Sequence, residues 1–172
     1  MSFFEAHGEL KKPVLNVVVK QVTATASTAL SGEDEDGVGL DENITPQSSS
    51  SRILLICTIS FDTNRSNGAG GFRIRRGGES GTLIANAPSA GNRFTVHAGF
   101  MANADMDQSS RRTTLMCLDH PNTTSSVNYV VLPYKLEGGT SMQFYLNRAQ
   151  SDPSQNDDGR YVSTLTLIEF GN

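Results

Sequence analysis

Hydrophobic residues occupy every second position in several short stretches of the chain, and this period predicts β-strands. The clearest stretch is 52–61, where one face carries Ile53, Leu55, Cys57, Ile59 and Phe61. Leu54 and Ile56 make the first part of its other face apolar as well. A strand that is apolar on both faces is normally covered on both. We therefore expect this strand to lie inside the protein or at a contact between subunits.

The same alternation recurs at short intervals along the chain. It predicts further strands at residues 14–22, 94–100, 113–118, 127–133, 142–146 and 163–170, separated by segments rich in Gly, Pro, Asn and Ser. No stretch keeps a helical period for more than roughly one turn. About eight short strands with turn-rich connections predict an all-β domain, a jelly-roll β-sandwich. We assign residues 14–172 to this domain and treat residues 1–13 as a short N-terminal arm.

The final strand repeats the two-sided pattern, because Leu165 and Leu167 alternate with Thr166, Ile168 and Phe170. It finishes two residues before the last residue of the sequence, so we expect it to be paired and covered near the centre of a sheet. In a two-sheet sandwich, strands that are apolar on both faces indicate contact between subunits. We predict that the interface is formed by Ile53, Leu54, Ile56, Ile59, Leu165, Leu167, Ile168 and Phe170.

Composition narrows the class of protein. The 172 residues fit one domain, and 37% hydrophobic with 19% charged residues and 16 glycines suits a turn-rich β-protein better than a helical bundle. A net charge of −4 gives no reason to expect nucleic acid as a partner. No apolar run approaches the length of a membrane span, and the start lacks the order of a signal peptide. We expect no membrane partner.

Two features leave alternatives open. Cys57 and Cys117 lie in apolar runs, which favours small buried hydrophobic residues over a disulfide or a reactive thiol. Residues 31–43 include the acidic run Glu33-Asp34-Glu35-Asp36, which could bind calcium or simply be a solvated loop. The spacing does not match an EF-hand, so the solvated loop is the favoured reading. We predict no cofactor.

Candidate catalytic chemistry is sparse. The three histidines are His7, His97 and His120, and the adjacent pair Asp119-His120 would point apart on an extended chain. No Gly-x-Ser-x-Gly elbow or zinc-ligand spacing occurs. The glycines near Arg73, Arg75 and Arg76 lack the Lys-Ser/Thr ending of a phosphate loop, so we expect a hairpin with an exposed basic face. The sequence predicts a protein that is not an enzyme.

Six short motifs occur in an order that resembles one known type of domain. They lie at residues 14–19 (Val-Leu-Asn-Val-Val-Val), 44–56 (Ile-Thr-Pro, then serines and an apolar strand), 71–78 (Gly-Phe-Arg-Ile-Arg-Arg-Gly-Gly), 118–129, 145–148 (Tyr-Leu-Asn-Arg) and 163–169 (Ser-Thr-Leu-Thr-Leu-Ile-Glu). Together the motifs resemble the jelly-roll domain of bacteriophage virion proteins, which include tail fibres and head decoration proteins. Such domains are similar to the tumour-necrosis-factor and complement jelly rolls.

The resemblance implies a homotrimer whose three-fold axis is built from one sheet. It also implies a non-enzymatic place on the surface of a phage particle, after synthesis in the cytoplasm of the bacterial host. The chain has no long shaft, collagen-like repeat or heptads, so a capsid decoration (cement) protein is the favoured role. Its partners would be the major capsid protein or other virion proteins. The arm would attach it through Phe3, Phe4 and Leu10.

A second role stays open, because the same domain serves in both places. The chain could be a tail fibre or receptor-binding tip that recognises a host surface glycan or protein, with fibre proteins as its partners. The residues that would face a receptor lie in polar loops or beside them, and they are Asp107, Arg111, Asn122, Asp152 and Asp157. These loops contain no Trp or Tyr, the residues on which sugar rings commonly stack.

Overall fold

The computed structural model describes residues 13–31, 36–64, 69–88, 91, 95–101, 110–135, 141–150 and 159–171. Within these ranges the chain forms strands β1 (Val14–Val22), β2 (Ala26–Leu30), β3 (Asp41–Ile44), β4 (Arg52–Thr63), β5 (Ala69–Arg76), β6 (Thr82–Ile84), β7 (Ala98–Met101), β8 (Arg111–Asp119), β9 (Val127–Lys135), β10 (Met142–Leu146) and β11 (Ser163–Phe170). The described residues form no helix, so none of them belongs to a helix that could cross a membrane.

The strands form two antiparallel sheets, here called the front and the back sheet. In the front sheet, β10 and β11 lie end to end along β4, because Leu146 pairs with Phe61 and Thr164 with Thr58. β1 and β2 continue each other along β11 and β10, and β8 pairs with the other side of β4. In the back sheet the order is β3-β9-β5, and β6 and β7 share the free side of β5.

Counting each end-to-end pair as one composite strand reduces the described strands to eight. When these eight strands are renumbered 1 to 8 in chain order, the front sheet has the order 1-8-3-6 and the back sheet has the order 2-7-4-5. Two four-stranded sheets connected in this way are a jelly roll. The all-β sandwich of about eight strands that the alternation predicts is therefore confirmed.

The core lies between the sheets and follows the predicted alternation. Ile53, Leu55, Cys57 and Ile59 on β4 have no exposed surface, and they meet buried residues of β5 and β9 such as Ile74 and Val131. At one end of the core the rings of Phe61, Phe72, Phe100 and Phe144 pack together, with Phe61 to Phe100 centroids 4.8 Å apart. A Cβ on Gly70 would lie 2.4 Å from the Phe100 ring, so glycine there makes room for this cluster.

A buried asparagine holds the two breaks in the front sheet together. Asn147 follows β10, has φ of 58° and is fully buried. Its Nδ2 donates to the carbonyls of Val22 (2.6 Å) and Ala24 (3.0 Å), where β1 ends, and its Oδ1 accepts from Ser163 Oγ at 2.7 Å, where β11 begins. Its own N–H donates to Ser60 O at 2.9 Å on β4. The side chain thus satisfies two backbone carbonyls at the break between β1 and β2 and bonds the Ser163 hydroxyl at the break between β10 and β11.

Thr95 and Val96, just before β7, lie against Arg73 and Gly71 on the outer face of the back sheet. Arg73 Nε donates to Thr95 O (3.2 Å), and the Arg73 guanidinium lies 3.6 Å from the centre of the Tyr134 ring. Arg75 donates to Gly81 O at 2.7 Å. Arg73 and Arg75 lie on the outer face as predicted, but both are half-buried, so this basic face is less exposed than the sequence predicts. The contact of Arg73 with Thr95 joins residues 22 positions apart, so the local pattern around Arg73 could not reveal it.

Candidate interaction face

The outer face of the front sheet carries two rows of apolar side chains. Strand register aligns one residue from each of β1, β11, β4 and β8 in every row. The first row is Val17, Ile168, Leu54 and Leu118, and the second is Val19, Thr166, Ile56 and Met116. We call these two rows the apolar face.

The ends of the rows are the most exposed. Val17 and Val19 on β1 keep 51% and 58% of their surface in contact with solvent, and Met116 and Leu118 on β8 keep 62% and 54%. Ile56 and its neighbours on β4 and β11 are half-buried by the rows around them. Exposed aliphatic side chains that adjoin one another in this way are typical of a contact surface.

Polar residues bound the apolar face on the side towards β2 and β10. The next row consists of Gln21, Thr164, Thr58 and Thr114. Beyond it, Asp62 is fully buried and accepts a hydrogen bond from the Gln150 backbone at 2.8 Å, so the segment after β10 covers this part of the sheet. At the opposite boundary lie Arg52 and Phe170, which pair with each other. None of the aligned residues in the three rows is acidic.

The structure separates the predicted interface residues into two groups. Four of them have no exposed surface and lie in the core between the sheets, namely Ile53, Ile59, Leu165 and Leu167. Their side chains therefore cannot contact a second subunit. Leu54, Ile56, Ile168 and Phe170 point outward and are half-buried, which keeps them available for such a contact. The first group is therefore corrected to core residues, since strand alternation alone does not say which face turns inward.

Sequence reasoning missed the edges of the apolar face. Val17, Val19, Met116 and Leu118 were not among the predicted interface residues, although they are the most exposed of its members. The signal was present in β8, where Leu115, Met116, Cys117 and Leu118 are all apolar and therefore place hydrophobic side chains on both faces.

Of the predicted receptor-facing residues, the structure describes Arg111 and Asn122. Arg111 and Asn122 flank opposite ends of β8, roughly 25 Å apart for a strand of this length. Asp107, Asp152 and Asp157 lie outside the described residues. The same is true of Phe3, Phe4 and Leu10 in the arm and of Glu33, Asp34 and Glu35 in the acidic loop.

Two titratable groups that the sequence analysis considered, Asp119 and His97, make structural contacts. Asp119 accepts from Arg76 (3.0 Å) and from the Tyr129 hydroxyl (2.7 Å), and His97 Nδ1 lies 2.9 Å from Ala85 O. In the described ranges, no group of histidine, cysteine and acidic side chains could hold a metal ion.

Both cysteines are free and buried, as the sequence favoured. Burial raises the pKa of the Cys57 thiol to about 12. Burial, and next the nearby charge of Asp119, raise the pKa of Cys117 to about 11. Neither residue offers a thiolate near neutral pH.

Comparison with known proteins gives likeness of structure only. No protein-family profile and no curated protein matches the chain. Similar solved structures include infectious bursal disease virus of the Gx strain (13% identity, TM-score 0.41) and of the Gt strain (12%, 0.43), in each of which 91% of this chain covers 40% of the other. The VP2 subviral particle of that virus is 11% identical over 91% of this chain and 42% of its own, with a TM-score of 0.40. The chain thus spans about two fifths of the length of these chains.

Proposed function

We propose that the chain is a non-enzymatic structural protein of a bacteriophage virion, a homotrimeric capsid decoration protein that stabilises the particle. The observation that supports this proposal is the apolar face of the front sheet. On the outer face of the back sheet Arg73 is half-buried and bonded to Thr95, whereas Met116 and Leu118 on the front sheet remain more than half exposed. Such a surface is expected on a subunit that assembles.

The arm supplies the contact with the particle in this proposal. The described chain starts at Pro13, whose carbonyl accepts from the Gly171 N–H at 3.0 Å, so the arm would leave the domain at the corner beside Phe170. From there Phe3, Phe4 and Leu10 would reach the major capsid protein. A few apolar anchors of this kind can dominate an interface.

One observation favours a second role, a receptor-binding tip of a tail fibre. The connections from β2 to β3, β4 to β5 and β9 to β10 all leave from the end of the sandwich opposite Pro13, next to Arg111. If the arm joined the chain to a fibre, this end would point away from the particle.

Labelling of intact particles separates the two roles. Antibodies raised against residues 13–172 are applied to virions of the phage that encodes the chain and located by electron microscopy. Label spread over the head supports the decoration protein, and label confined to the tail supports the fibre tip. Particles without label would contradict the proposal. Sedimentation equilibrium of the purified full chain gives its mass, for which the homotrimer predicts three times 18.5 kDa.

Removal of the arm tests its role separately. A variant that lacks residues 1–12 is expected to keep the mass of a trimer and to lose binding to particles. If this variant falls apart into single chains, the arm joins the subunits and does not attach them to the particle.

A further inference from the structure

The side chains of the apolar face become longer from the β1 edge of the front sheet to its β8 edge. Its β1 side ends in Val17 and Val19, which are short and branched, and its β8 side ends in Leu118 and Met116, which reach further from the backbone. The same order, short to long, holds in both rows. A flat partner would leave a gap over the valines or collide with Met116.

We propose that a second copy of this chain covers the apolar face, with its β1 side packed on the β8 side of the first copy. In this arrangement Met116 and Leu118 of one copy lie against Val19 and Val17 of the next. Long side chains then meet short ones, as close packing of two sheets requires. This inference rests on the proposed function, because it makes the partner another copy of an assembling subunit.

The lack of charge in the rows allows a second copy to cover them. None of the aligned positions carries a carboxylate, and Thr114 and Thr58 border the rows with uncharged groups. When two copies meet through these rows, no acidic group has to lose its water, so the desolvation cost that charged groups bring to an interface does not arise in the rows.

The pairing also limits the symmetry. The β8 side and the β1 side are different surfaces, so each copy has one of each to offer. If every copy uses its β8 side on one neighbour and its β1 side on another, the contact is heterologous and three copies can close into a ring. If two copies exchange both sides with each other, the same contact gives a closed dimer.

Paired cysteines test which sides meet. The variant Val19→Cys, Met116→Cys is oxidised with glutathione disulfide and run on a non-reducing gel, beside each single variant and the natural chain. Covalent trimers from the double variant alone support the inference and the trimer. Covalent dimers from the double variant alone support the pairing of the two sides and overturn the trimer. Cross-linked products from either single variant overturn the pairing, since they require like sides to meet. Cys57 and Cys117 are buried, so the natural chain should give no product.

A charge substitution tests the inference without any cross-link. Met116→Lys changes an exposed residue, so the monomer should fold, which circular dichroism and thermal unfolding check. We expect its self-association to weaken by about 30-fold or more, the effect of losing a central interface residue. Thr114→Lys is the matched control on the same strand and face, and it should stay associated. A Met116→Lys protein that assembles like the natural chain would overturn the inference.

The binding of the same variants to particles separates this inference from the proposed function. A natural chain that assembles through Met116 but never binds virions leaves the inference standing and removes the virion role. A Met116→Lys protein that stays trimeric and no longer binds virions shows that the apolar face contacts the particle. That result overturns the inference while the virion role survives.

Discussion

Tyr129 of the back sheet donates its hydroxyl to Asp119 of the front sheet at 2.7 Å, and this bond ties the two sheets together at one end of the sandwich. Arg76 contributes a second link, with its guanidinium 3.1 and 3.0 Å from the two carboxylate oxygens of Asp119. Tyr129 is fully buried, so its hydroxyl cannot exchange this partner for bulk water.

Removal of that hydroxyl should weaken the fold. We expect Tyr129→Phe to lower the free energy of unfolding by about 2 kcal/mol, the usual value of a hydrogen bond to a charged group. Denaturation in urea measures the change. Tyr145→Phe is the control, because its half-buried ring lies under the Arg148 guanidinium and should tolerate the loss of the hydroxyl. Equal losses in both variants would mean that the Asp119 contact adds nothing specific.

Two substitutions at Asn147 should separate its hydrogen bonds from its backbone conformation. Asn147→Gly removes the side-chain bonds to Val22, Ala24 and Ser163 but still permits a φ of 58°. Asn147→Ala removes the bonds and also places a Cβ in the left-handed region, at a further cost of about 1 kcal/mol. We expect losses of about 2 kcal/mol for Gly and about 3 kcal/mol for Ala in urea unfolding. An Ala variant as stable as the Gly variant would show that the conformation is not strained.

Ala85 offers a stabilising substitution. It has φ of 50° and an exposed side chain, so its methyl group brings strain and no packing. Ala85→Gly should raise the free energy of unfolding by about 0.5–1 kcal/mol. Ala24→Gly is the matched control, an exposed alanine without a positive φ, and it should lower stability slightly. If Ala85→Gly behaves like the control, residue 85 does not hold this conformation in solution.

The buried thiols predict a loss of stability at alkaline pH. The pKa of Cys57 rises from 9.0 to about 12, and that of Cys117 from 9.0 to about 11. Burial, and then the bond to Asp119, also raise the pKa of Tyr129. The folded state holds these protons more tightly than the unfolded chain, so the contribution of these groups to the free energy of unfolding should be constant below about pH 9 and fall as pH rises above it.

Urea unfolding at pH 8, 10 and 11 measures this effect, and Cys57→Ala should show a shallower fall. An unchanged slope in that variant would exclude Cys57 as a source. In the same experiment iodoacetamide should alkylate both cysteines only when the protein unfolds.

The strands could be predicted because a sandwich turns alternate residues of each strand towards one core. This held for β4 and β11, whose inner residues Leu55 and Leu167 are fully buried. The pattern could not show what covers the other faces. The surroundings of Leu54 and Arg73 depend on residues that are distant in sequence. Only the fold shows that Leu54 stays partly exposed and that Arg73 is bonded to Thr95.

The candidate site was found only in part for the same reason. Leu54, Ile56 and Ile168 were among the predicted interface residues because both faces of their strands carry apolar residues, and the structure turns them outward. Met116 and Val19 belong to the apolar face because strand pairing places them beside residues that are far away in sequence. Register depends on the pairing of whole strands and is not contained in any one of them.

The break between β10 and β11 gives the protein a place to vary. Most loops of a sandwich emerge at its two ends, where a change in the length of one loop disturbs the loops packed beside it. Here the chain leaves the middle of a sheet after Asn147 and returns at Ser163, and both residues are fixed by the same hydrogen bond. Segments of very different length and sequence could therefore be inserted between residues 150 and 159 while the strands on either side keep their partners. The front sheet can acquire a new surface there without refolding its core.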